Sequence, residues 1–207
     1  MRRDSHVEGL LKILDALLTK RPLVIYGLPG SLRTRLTLLL CAHSSPFAYV
    51  GTGRHSRVVK SLSGVKFYGT VSFYEELLNL FEIIGLVKLT EIKGLALDEF
   101  MANLVPYRAT LYESYVSRMA FTELQLLKLA AEAGGKVLLV CGEDHRTGGP
   151  LGLRYVRQLK PYLIKTSIEK DVLAVEERDI GDPVFVLKRI EVSASEVVSA
   201  CETLRLG

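Results

Sequence analysis

The chain has 207 residues, 48% of them hydrophobic, and its 27 Lys and Arg against 23 Asp and Glu leave a net charge of +4. This length and apolar content suit one folded domain over residues 1–207 and exclude an intrinsically disordered chain. No run of about 18 uncharged apolar residues is present, which excludes a transmembrane helix, and the mild positive charge permits contact with nucleic acid without demanding it.

Cys41, Cys141 and Cys201 show neither a disulfide framework nor metal-ligand spacing, so no metal site is expected and a cytoplasmic setting is the simple reading. Only Asn79, Asn103, Gln125 and Gln158 carry side-chain amides. Their scarcity beside many charged residues fits a thermophile.

Val7, Leu10, Leu11, Ile13, Leu14, Leu17 and Leu18 recur at helical spacing over 7–19, and Arg21-Pro22 ends that helix. Glu8, Lys12 and Asp15 interrupt it, so it is not read as a signal peptide. Leu23 to Tyr26 is a short apolar run before a glycine, hence a buried strand. Residues 27–34, Gly-Leu-Pro-Gly-Ser-Leu-Arg-Thr, then resemble the phosphate-binding template G-x-x-x-x-G-K-[ST]. Gly27, Gly30 and Thr34 fit it. Leu32 stands where the template has glycine, and Arg33 where it has lysine, which is not a neutral exchange. Gly27, Gly30, Ser31, Arg33 and Thr34 are therefore the candidate nucleotide-binding residues of a degenerate loop. A helix from Arg33 to Ala42 completes the strand–loop–helix context.

Phe47 to Val50 predicts a second strand, followed by a basic loop with Arg54, His55 and Arg57, a candidate nucleic-acid ledge. Residues 56–62 predict a short helix and Val65 to Tyr68 a strand. Ser72 caps a helix over 73–84, with Glu75 completing a capping box. Leu86 to Ile92 is expected to be a strand, and 98–118 helical in parts, broken near Pro106. There Tyr107, Tyr112 and Tyr115 are expected to pack on the sheet, base stacking being the alternative. Phe121 to Ala133 predicts a helix closed by Gly134-Gly135, and Lys136 to Cys141 a buried strand. Residues 142–152 form a Gly-rich loop in which His145 and Arg146, with Arg154 beyond it, are further nucleic-acid candidates. One or two helical turns over 153–159 precede strands at Tyr162 to Lys165, Val172 to Glu177 and Val184 to Ile190. Residues 193–206 predict a terminal helix that docks on its own sheet, with a dimer seam as the alternative. The order implies an α/β fold whose mainly parallel sheet carries an antiparallel C-terminal edge.

With these elements in hand, the chain resembles the RecA-like recombinases, most closely the short archaeal paralogues of RadA, the RadB-like group. The resemblance covers Leu10 to Val192. It rests on Tyr26-Gly27-Leu28-Pro29-Gly30-Ser31, Ala48-Tyr49-Val50-Gly51-Thr52 with Ser56 to Lys60, Leu126 to Ala130 with Val137 to Val140, Gly149-Pro150-Leu151-Gly152 and the strand pair of Val172 to Ile190. It implies a three-layer sandwich, work in DNA recombination or repair, and assembly with a recombinase, a paralogue or a second copy. No helix-hairpin-helix module is expected, since too few residues precede the loop.

The departures fall on the chemistry. The family's water-orienting carboxylate after the second strand corresponds to Gly53. The magnesium-linked aspartate that ends the next core strand corresponds to Lys93, with Glu91 two residues away as a substitute. Phosphoryl transfer depends on such positioning and charge. The resemblance thus implies an accessory protein without catalytic residues or cofactor, binding single-stranded DNA. A slow DNA-dependent ATPase using Arg33 and Glu91, with weakly held ATP and magnesium, is the alternative; a pure protein-interaction scaffold is another.

Overall fold

Seven apolar side chains at helical spacing drive the first helix. In the computed structural model, which describes residues 5–204, α1 covers Ser5–Lys20 and buries Leu10, Leu14 and Leu18. The wholly buried run after Pro22 becomes β1, Leu23–Gly27. The chain continues through α2 (Arg33–His43), β2 (Phe47–Gly51), α3 (Ser56–Lys60), β3 (Val65–Gly69) and α4 (Phe73–Lys88). Then come β4 (Gly94–Leu97), α5 (Val105–Arg108), α6 (Glu113–Glu132) and β5 (Lys136–Gly142). The remainder is α7 (Leu153–Val156), β6 (Tyr162–Glu169), β7 (Val172–Arg178), β8 (Val186–Ser193) and α8 (Ala194–Thr203). Residues 205 and 206 of the expected terminal helix lie outside the described residues.

The eight strands form one sheet in the order β3-β2-β4-β5-β1-β6-β7-β8. The first six are parallel, and β7 and β8 run antiparallel at one edge. Side chains alternate between two apolar layers. Ile25, Tyr49, Ala96 and Leu138 pack with α1, α2, α3 and α8, while Val24, Val50, Leu95 and Leu139 pack with α4, α6 and α7. Val197 and Cys201 of α8 are buried in the first layer, so this helix docks on its own sheet.

Three local expectations are corrected. Leu86 to Lys88 extend α4, and the strand begins only at Gly94. Gly94 is required there, because a side chain would collide with the backbone carbonyl of Lys136 on β5. Pro106 does not break a helix but sits in the first turn of α5, where its missing N–H costs nothing. The break falls after it, and α6 starts at Glu113, earlier than expected.

Candidate functional site

The chain passes from β1 to β2 on one side of the sheet and from β5 to β6 on the other, so strand order reverses at β1. The carboxyl end of such a strand is where open α/β sheets hold ligands. Gly27 occupies that end, and a Cβ there would strike the Thr166 carbonyl and come within 2.6 Å of Ser31 Oγ. Leu32 is held at φ 59°, ψ 12°. Glycine adopts this left-handed conformation freely, whereas in other residues it costs about 1–2 kcal/mol. Leu32 thus holds a conformation that a glycine at this position would take without cost. α2 begins with no side-chain cap, leaving backbone N–H groups and the positive end of the helix dipole free for an anion.

The loop's side chains are largely committed. Ser31 is buried, and its hydroxyl shares a 2.9 Å hydrogen bond with Thr166 Oγ1 on β6. Arg33 turns back so that Nη1 donates to the Gly27 carbonyl at 2.6 Å. Thr34 is half-buried at the start of α2.

An aspartate follows the strand that the reading of Lys93 places elsewhere. β4 ends at Leu97 and Asp98 follows it, at the same rim of the parallel sheet as Gly27. Lys93 precedes β4 at the opposite rim, where Nζ donates to the Ser45 carbonyl at 2.7 Å, and Glu91 is exposed in the turn before it. Neither stands at the carboxyl end of a strand. Asp98 is 3% exposed and accepts hydrogen bonds from the Tyr49 hydroxyl and, at 3.0 Å, from the Glu99 N–H. Burial raises its carboxyl above the usual carboxylate range, while Tyr49 and the nearby His55 pull the other way. Burial also holds the Tyr49 phenol in its neutral form. Gly53 leaves no carboxylate after β2, but Glu99 supplies one from β4's end, in a left-handed turn at φ 55° and 3.8 Å from Arg54. The signal for Asp98 was the run Gly94-Leu95-Ala96-Leu97, four apolar residues ending on an acid.

On the other side of β1, a cleft of about 320 Å³ opens between Leu28, Gly30, Glu143, Lys165 and Ile168. Lys165 Nζ and Glu143 Oε1 pair across it at 2.6 Å. Tyr26 donates to the Pro183 carbonyl at 3.4 Å, and burial pushes its phenol up to about 12.

The six nucleic-acid candidates are not one patch. Arg54, His55 and Arg57 share the turn and short helix beyond β2. His145 and Arg146 form the exposed tip of a loop closed on itself by Asp144 N–H to Gly149 O and Gly148 N–H to Asp144 O, both 2.8 Å. Arg154 belongs to neither: it donates to Glu113 at 2.8 Å and lies 4.6 Å from the Tyr155 ring centroid.

Of the three tyrosines expected to pack on the sheet, Tyr107 is half-buried against the core, and the other two correct the expectation. Tyr112 is 82% exposed and Tyr115 52% exposed, so neither packs on the sheet. Their ring centroids lie 6.5 Å apart, and the Arg118 guanidinium stands 5.9 Å from the Tyr115 centroid. Helical spacing placed them together, but their exposure depends on what lies opposite, which a single sequence does not display.

Farther along α6, Glu123 is fully buried, and neither carboxyl oxygen has a hydrogen-bond partner among the described residues. Glu76 of α4 adjoins it and accepts from Asn103 Nδ2 at 2.8 Å. Burial, then the neighbouring Glu76, pushes the Glu123 carboxyl well up, and burial raises Glu76 as well.

No protein-family model matches the chain, and no curated protein is significantly similar to it.

Proposed function

We propose that this chain is a RecA-like accessory domain of DNA recombination or repair, one that holds single-stranded DNA and assembles with a recombinase, a paralogue or its own copy, without turning nucleotide over. The carrying observation is the solvent-facing pair Tyr112 and Tyr115 beside Arg118. Exposed aromatic faces next to a cation are what unpaired bases stack on, each stacked base contributing about 1–3 kcal/mol. The strand order and the uncapped helix after Gly27 support the RecA-like part of the reading. Against turnover stand the commitment of Arg33 to Gly27, the missing lysine and Asp98's engagement with Tyr49.

Fluorescence anisotropy of a labelled single strand tests this. Replacing both tyrosines with alanine should weaken binding at least about tenfold, given the stacking contribution of each base. Unchanged affinity would sink the DNA-binding part and leave a protein-interaction scaffold.

Asp98 favours a second reading, a slow ATPase that uses Thr34 and Asp98 around magnesium. That reading requires magnesium-dependent phosphate release, stimulated by DNA and abolished by Asp98→Asn. The accessory reading requires no release from the unmodified chain.

A further inference from the structure

We infer a second phosphate-binding surface at the rim opposite the Gly27 loop, a basic track for a nucleic-acid backbone. Lys93, Lys136, Arg21 and Lys160 stand at or just before the amino-terminal ends of β4, β5, β1 and β6, four strands adjacent in the sheet. Their neighbourhood is fixed by the Lys136 N–H donating to the Lys93 carbonyl and the Tyr162 N–H to the Pro22 carbonyl, both at 2.9 Å. At the ordinary strand spacing the row spans about 14 Å. That is the length over which one strand of a nucleic-acid helix presents about four phosphates.

Two cavities open along this row and share Arg21. One, of about 530 Å³, is lined by Lys20, Arg21, Lys93 and Lys136 over an apolar floor that includes Val87 and Ile92. The other, of about 440 Å³, is lined by Arg21, Arg157 and Lys160. Among the described residues, neither is lined by Asp or Glu.

Carboxylates neutralise two cations of the opposite rim, while Arg33 there rests on a carbonyl. There Arg54 pairs with Glu99 and Lys165 with Glu143. On the track only Lys136 has a carboxylate partner among the described residues, Asp15 at 2.7 Å. Lys93 rests on the Ser45 carbonyl at 2.7 Å, Arg157 on the carbonyls of Ile180 and Gly181 at 3.1 Å, and Arg21 lies 5.6 Å from the Tyr162 ring centroid. Carbonyls and a ring face orient these cations without cancelling their charge. The helix dipole accounts for Lys20, in the last turn of α1. It extends to Arg21, which directly follows α1, but not to Lys93 and Lys136, which stand at the start of strands, whose net dipoles are small. A linear row suits a backbone better than a single small anion, because its phosphates recur along the strand and each contact releases counterions.

The test is anisotropy of a long labelled single strand with the full chain, from about 50 to about 200 mM salt. Three proteins are compared: the unmodified chain, Lys20→Gln/Lys93→Gln/Lys160→Gln, and Tyr112→Ala/Tyr115→Ala, with circular dichroism checking that all fold. Losing three phosphate contacts should reduce the slope of log affinity against log salt by about 2, and the affinity about tenfold or more at the low-salt end. The tyrosine variant should keep the unmodified slope while losing affinity. An unmodified slope in the lysine variant overturns the track, whatever the tyrosine variant does. Tripolyphosphate that saturates the chain when the strand does not bind assigns the cavities to a small anion and also overturns it. Full affinity in the tyrosine variant, with loss in the lysine variant, retains the track and removes the stacking site.

Discussion

Glu123 and Glu76 adjoin each other between α6 and α4, in a layer where two adjacent carboxylates cannot both hold charge cheaply. The Cys141 thiol on β5 lies near Glu123 and is itself held neutral by burial. With the Glu123 carboxyl raised above its unfolded value of about 4.3, the folded state binds the proton more tightly. The stability this confers is fully present below that unfolded value and is lost as pH rises through the raised folded one. Glu123→Gln keeps the shape, removes the charge and offers an N–H to Glu76. We expect it to stabilise the protein by about 1–3 kcal/mol at mildly alkaline pH and to flatten the decline, read by urea unfolding at several pH values. Tyr49→Phe should act in the opposite sense, costing about 1–3 kcal/mol by leaving buried Asp98 without its hydroxyl donor. In the loop, Leu32→Gly with Arg33→Lys restores the two side chains that differ from the phosphate-binding template. Titration of a fluorescent ATP analogue should show saturable binding in this double variant and none in the unmodified chain at millimolar ligand; equal binding by both would mean the loop is already competent.

Local chemistry made some elements legible and left others hidden. Ser72 was readable as a cap, and its Oγ accepts from the Glu75 N–H at 3.2 Å while Glu75 reaches back to the Val71 N–H at 3.0 Å. Ser72→Ala should therefore cost about 1 kcal/mol in thermal or urea unfolding. β1, its glycine loop and α2 were readable for a similar reason: a buried apolar run, a left-handed turn and a helix follow within a dozen residues. β4 was not. Its four residues are fewer than the apolar residues ending α4, so the longer run attracted the strand assignment and displaced Asp98 from view. The pairing of Lys165 with Glu143 was hidden for another reason. It joins two strands separated by β1, and only the sheet order brings them together.

At the scale of the whole molecule, the two sheet edges differ. β3 closes one edge with five residues, whereas β8 offers eight, entered through the exposed run Val184, Phe185, Val186 and Leu187. An apolar edge strand is a template for another strand. Leu187→Lys should lower light scattering during heating at high protein concentration with little change in midpoint; unchanged scattering would place the association elsewhere. Inside the sheet, β6 does two jobs with consecutive residues. Thr166 fastens the glycine loop through Ser31, and Lys165 fastens the loop beyond β5 through Glu143. Neighbouring residues on a strand point to opposite faces, so a slip of one position puts each side chain in the place of its neighbour on the other face. A single insertion in the turn before Tyr162 would thus offer the Lys165 ammonium to Ser31 and the apolar Ile164 to Glu143, and the two rim loops would come loose together: the reading frame of one strand works as a clasp for both.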